Sequence, residues 1–222
     1  MKKPILILTL ALLVAACNQA TKQKQMTETD SSEPVIEKTE PQQAQEINSQ
    51  LEEIIVKTIK AWQNKDEKTL NKLILKDFGI AFLYKPGAFV RIAVYDRILF
   101  DNPDAEYTYM PHDFQFESDY KINFEELPDF DCDKYEWNKP IGIYCDIKNI
   151  DKKLSTTAKE GNEFLENVNW PANKIKKFEE IELKSHKIVV TGKEDNVFAF
   201  YVTFWENKWY LTVIDRLEPC SA

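Results

Sequence analysis

The chain has 222 residues, and its 37 acidic side chains outnumber its 29 basic ones for a formal net charge of −8. An acidic chain without a basic cluster is a poor ligand for phosphate, which argues against nucleic acid and against electrostatic docking on anionic lipid. Only five glycines are present, and none forms a phosphate-cradling loop.

The first segment in chain order is a targeting signal. Lys2 and Lys3 form a basic start, Ile5 to Ala16 is almost unbroken apolar sequence, and the small Ala15 and Ala16 stand before Cys17. The apolar run is short of the ~20 residues that span a bilayer as a helix. Leu13-Val14-Ala15-Ala16-Cys17 resembles a bacterial lipobox, in which the cysteine thiol takes a diacylglycerol before cleavage. The resemblance implies an exported chain with a signal peptide over 1–16, lipidation at Cys17, and fatty acyl chains (palmitate among them) as its only membrane partner. Asn18 stands where inner-membrane retention signals often place Asp, which by the enteric sorting rule implies the outer membrane. Cleavage removes Lys2 and Lys3 and leaves 27 basic against 37 acidic residues, a charge of −10. The periplasm or cell surface tolerates disulfides.

Residues 17–48 read as a tether rich in Gln, Thr, Glu and Ser, with Pro34 and Pro41 and too little apolar surface to offset ordering entropy. Residues 49–222 read as a single domain. Ser49 and Glu52 have capping-box spacing, and Leu51, Ile54, Ile55, Ile59 and Trp62 form one helical stripe. Asp66 caps a shorter helix through Leu70, Leu73 and Ile74. Residues 77–84 and 89–95 read as strands around a turn at Lys85-Pro86-Gly87-Ala88.

The stretch from 95 to 150 holds twelve of the chain's aromatic residues, too many for a solvated loop. A helix is expected near 162–168, closed by Pro171. The parity of apolar residues slips between Ile181, Leu183 and Ile188, Val190, so a bulge or break is expected near Ser185-His186. Val197 to Trp205 and Trp209 to Asp215 form a hairpin. The first of these strands is apolar on both faces, so helices are expected over one face and the aromatic middle segment over the other.

The order of elements, with Ala61-Trp62-Gln63-Asn64-Lys65-Asp66 at its start and Glu206-Asn207-Lys208-Trp209-Tyr210-Leu211 at its end, resembles the nuclear transport factor 2-like superfamily, which includes ketosteroid-isomerase-like proteins. The resemblance covers about half the chain. It implies an α+β fold, with N-terminal helices on a curved, mainly antiparallel, cone-like sheet; the long aromatic insertion departs from the pattern. It also implies an apolar pocket. Asp215 shares parity with Trp209, Leu211 and Val213, so its carboxylate would reach that pocket as a general base, with Asp96 or Tyr95 assisting. The alternative is an Asp215 that ends a strand at solvent and pairs with a nearby lysine or arginine.

Other chemistry is thinner. Asp129, Asp131, Asp133 and Asp146 have the oxygen density of a calcium loop, but Lys134 and Pro140 break the EF-hand template, and a solvated acidic loop is expected. His112 and His186 lack the spacing of a zinc site. No metal or cofactor is called for. Tyr107, Tyr135 and Trp137 are candidates for an aromatic binding face or a secondary core. With Cys17 acylated, Cys132 and Cys145 are the expected disulfide, because Pro140 and Gly142 suit a reversal between them; Cys220 is the expected leftover, though sequence does not fix connectivity and it could displace either partner. The sequence points to a lipid-anchored binding or scaffolding module for a protein or small-molecule ligand. An enzyme of the ketosteroid-isomerase-like type is the alternative.

Overall fold

The computed structural model describes residues 40–101, 114–117, 119–194, 196–217 and 219–220. Its architecture is α+β: four helices and an open, mostly antiparallel seven-stranded sheet.

Helix α1 spans Glu40–Gln63. It passes through Ser49 without a break, so the capping box does not open it. Pro41 does not interrupt the helix, because it falls in the first turn, where a missing N–H costs no intrahelical bond. Trp209 Nε1 donates to the Ile47 carbonyl at 3.2 Å and ties the upstream turns to the domain. Leu51, Ile54, Ile55, Ile59 and Trp62 are buried as the stripe requires. Helix α2, Glu67–Leu73, is capped by Asp66, which accepts from the Thr69 N–H at 3.0 Å and its hydroxyl at 2.5 Å.

Strands β1 (Ile80–Tyr84) and β2 (Arg91–Tyr95) pair antiparallel. Strand β1 starts later than expected because Leu75 to Gly79 closes a turn, the Gly79 N–H donating to the Leu75 carbonyl at 2.8 Å. Gly79 sits at φ +85°, and a Cβ there would run into the Tyr95 carbonyl oxygen.

The middle segment contributes β3 (Ile122–Asn123), a hairpin of β4 (Phe130–Asp131) and β5 (Glu136–Trp137), and β6 (Ile143–Asp146). Helix α3 is Lys153–Phe164, earlier than the expected 162–168. Pro171 caps the start of α4, Ala172–Glu182, and does not close a preceding helix. The parity slip near Ser185-His186 is the junction between α4 and β7 (Ser185–Thr191). Strands β8 (Val197–Trp205) and β9 (Lys208–Asp215) form the expected hairpin, turning on Glu206 and Asn207 at φ 48° and 61°.

The strand order is β2-β1-β9-β8-β7-β6-β3, with β1–β9 and β3–β6 parallel. One face carries α1 and α2 over Phe82, Phe198, Phe200 and Leu211. The other packs Ala81, Leu83, Tyr201 and Val213 against Leu154, Ala158, Phe178 and Ile181 of α3 and α4. The second cover is therefore a helix pair, where the middle segment had been expected. Phe114 and Phe116 instead join the core under α1.

Candidate functional site

Asp215 is buried, but on the face opposite to the one its sequence parity implied. Val202 pairs with Leu211 and Tyr201 with Val213, so Thr212 is an extra residue on β9. Such a bulge shifts every following side chain to the other face. Trp209 and Leu211 accordingly face α1, whereas Val213 and Asp215 lie on the α3–α4 side. The bulge is held by hydroxyls: Thr212 bonds Thr203 at 2.7 Å, and Thr203 bonds Ser185 at 2.6 Å.

There Asp215 Oδ2 accepts from Lys187 Nζ at 2.8 Å, and Oδ1 accepts from the Leu217 N–H at 3.1 Å. The Asp215 side chain is 3% exposed and that of Lys187 18%. Lys187 also reaches Asp151 at 3.5 Å, and the Tyr201 hydroxyl donates to the same Asp151 oxygen at 2.7 Å. Burial by itself would lower the Lys187 pKa, but Asp215 and then Asp151 outweigh it and hold the ammonium above its ordinary value. Burial, reinforced by the two carboxylates, pushes the Tyr201 phenol up, so it stays protonated and donates. Glu182 beside them is also raised by burial, against the bond it accepts from the Ser155 N–H at 2.8 Å. The cluster is a closed set of ion pairs that joins β7, β8 and β9 to the loop before α3.

The structure does not bring Asp96 to this cluster. Asp96 is exposed just beyond Tyr95, which pairs with the first residue of β1, whereas Asp215 pairs with Leu83 near the other end. Tyr95 packs on Phe82, on the α1 face.

The disulfide differs from the expected one. Cys132 is bonded to Cys220, with Cα atoms 5.8 Å apart across a sequence separation of 88. Phe130 pairs with Trp137 and Asp131 with Glu136, so the chain reverses at 132–135 and carries Cys132 on the hairpin tip beside the C-terminal residues. Cys145 is free and fully buried on β6, and its thiol is pushed up to about 12, first by burial and then by Asp146. It is neither bridged nor a thiolate nucleophile.

The acidic residues serve turns. Asp131 Oδ1 accepts from the Asp133 and Lys134 N–H groups, both at 3.1 Å, and Asp146 caps the N–H groups of Lys148 and Asn149. Among the described residues no group of three or more His, Cys, Asp or Glu could hold a metal ion. Trp137 packs edge-on against Phe130 and donates to the Glu194 carbonyl at 2.7 Å, so it belongs to a local secondary core. Tyr135 is 52% exposed beside it. His112 and Tyr107 lie outside the described residues. His186 lies against the Trp209 ring, and its pKa is lowered by burial, against the pull of Asp146.

The site that sequence reasoning missed is a groove of about 280 Å³ between the edge strand β2 and α3. Val90, Arg91 and Ile92 line it consecutively, so it lies over the outer edge of β2, the last strand on that side of the sheet. Thr157 and Gly161 of α3 form the opposite side, with Asn167 to Trp170 as an end wall. A second groove of about 360 Å³ shares Tyr84 and Arg91 and runs along the β1–β2 turn. Phe89 of this second groove is exposed and stacks on the exposed Phe164, with ring centroids 6.2 Å apart. Asp215 lines neither groove.

Residues 1–18 match the family model of the prokaryotic membrane lipoprotein lipid attachment site. The chain is thus a lipid-anchored lipoprotein of the cell envelope. No curated protein and no solved structure matches it. No helix among the described residues is long and apolar enough to cross a membrane.

Proposed function

We propose that the chain is a lipid-anchored binding module whose recognition site is the β2–α3 groove, displayed in the periplasm from the outer membrane. The reading is carried by one observation: along the open edge of the sheet, Val90, Ile92 and Trp170 give the groove apolar walls while Arg91, Thr157, Asn167 and Asn169 bring polar groups to it. Pockets that combine apolar walls with a few placed polar groups are the usual form of a small-ligand site. The rival enzyme reading is disfavoured by the state of Asp215. Its carboxylate is already engaged by Lys187 and the Leu217 N–H on the α3–α4 side, and the α1 face where a ketosteroid-isomerase-like pocket would open is filled by Phe198, Phe200 and Trp62. The element order still supports a distant likeness to nuclear transport factor 2-like folds, with α3 and α4 as an added layer. Site-specific photo-crosslinking in cells tests the reading. A photoreactive phenylalanine analogue at Phe164 should give a discrete adduct that the same analogue at exposed Tyr135 does not give. Equal labelling patterns at both positions would count against the groove.

A further inference from the structure

We infer that the β2–α3 groove takes a small carboxylate, with Arg91 as the group that receives it. The inference rests on the groove being the domain's binding site and adds the chemistry of its ligand.

Charge is the first argument. The mature chain carries 37 acidic side chains, yet none of the residues lining this groove or its neighbour is Asp or Glu. Arg91 is the one cation in the lining, and its guanidinium has neither a hydrogen bond nor an ion pair among the described residues. A guanidinium stays charged at any working pH and presents a planar fork of donors that matches a carboxylate in two parallel bonds. With no second cation in the lining to balance a dianion, the fit is to a carboxylate and not to a phosphate.

Unused hydrogen-bonding capacity is the second. Tyr84, Thr157, Asn167 and Asn169 line the same groove, and their hydroxyls and amides have no side-chain partner among the described residues. Thr157 is 6% exposed, and groups so placed normally find a partner. Four neutral polar groups around one cation suit a carboxylate that also carries hydroxyls or amides. An acidic sugar and a peptide's terminal carboxylate share that chemistry.

Rigidity is the third. Trp170 is fixed by two bonds with Asn162, its carbonyl accepting at 2.8 Å and its N–H donating at 2.6 Å, and its ring packs edge-on against Phe178. Gly161 lets the wall close in, since a Cβ there would stand 3.0 Å from Val168 Cγ1. A preformed wall spares the ligand an ordering cost. The volume of about 280 Å³ suits one sugar ring or a dipeptide.

The test is an NMR and calorimetric titration of the lipidated mature chain in detergent micelles with glucuronate, alanyl-alanine, glucose and inorganic phosphate. At least one carboxylate should shift the amides of residues 90–92 and 167–170, and bind tenfold or more tightly than glucose or phosphate. Whichever of glucuronate or alanyl-alanine binds better names the source. Arg91→Met should weaken that binding at least tenfold and Asn167→Ala several-fold, with unfolding midpoints unchanged because both side chains are exposed. Glucose or phosphate matching the carboxylates, or full affinity in Arg91→Met, overturns the carboxylate while leaving the groove as the site. No response to any probe overturns it as well, and only the absence of a Phe164 crosslink would remove the groove too.

Discussion

Replacing Lys187 with Met tests the cluster at the end of β9 most sharply. The substitution keeps the stem that lies along the sheet and removes the ammonium 2.8 Å from Asp215 Oδ2. Asp215 is then a carboxylate with 3% exposure, left among the described residues with the Leu217 N–H on its other oxygen. Breaking one side of a buried pair costs about 3–5 kcal/mol, because the remaining charge is left without a counter-ion. The lower end applies here, since the Lys187 side chain is 18% exposed and water can enter along its path. At roughly 2–4 °C per kcal/mol for a domain of this size, the midpoint should fall by about 6–12 °C. Urea unfolding followed by tryptophan fluorescence measures the loss. The double variant Lys187→Met/Asp215→Leu should recover most of it, because the buried charge is gone as well. A loss below about 1 kcal/mol, or a double variant no better than the single one, would refute the reasoning.

Three further outcomes are expected. Non-reducing peptide mapping should join Cys132 to Cys220 with Cys145 free. Cys220→Ser should cost up to about 4.6 kcal/mol in the chain-entropy treatment of a cross-link with a separation of 88, and a Cys145-containing cross-link would contradict the pairing. His186 has a folded-state pKa below its ordinary 6.5, so its share of stability is complete above that value and is lost as the pH falls through the folded pKa. The unfolding midpoint should therefore drop between pH 7 and 5 more steeply in the wild type than in His186→Asn, and parallel curves would contradict this. Cys17→Ser should release the chain from membranes and abolish fatty-acid labelling, whereas retained label would contradict the anchor.

What the sequence reveals and what it hides divide along local and non-local lines. The Asp66 cap, the α1 stripe and the Glu206-Asn207 hairpin depend on residues within a turn or two of each other, and each was legible. Helix α3 was not, because it buries Leu154, Ser155, Thr157, Ala158 and Gly161, a face of mostly small residues that makes no large apolar stripe. Pro171 is ambiguous in sequence, since proline serves equally after one helix and at the start of the next. The Thr212 bulge misled most, because alternation along β9 assigns Asp215 to the face of Trp209, and only pairing with β8 reveals the extra residue. The Cys132–Cys220 bond spans a separation of 88, and no spacing rule favours it over the nearer Cys145. The groove draws Tyr84 and Arg91 from one hairpin and Thr157, Asn167 and Asn169 from a segment more than sixty residues later, so no motif could mark it.

The proposed recognition at the β2–α3 groove requires the Asp215–Lys187 pair to be structural. A small-fragment screen read by backbone NMR on the mature lipoprotein in micelles tests this directly. Responding amides should cluster at residues 84, 90–92 and 167–170, and the amides around Asp215 and Lys187 should stay unmoved. Fragments that instead perturb the Asp215 cluster, or that fill a site beneath α1, would contradict it.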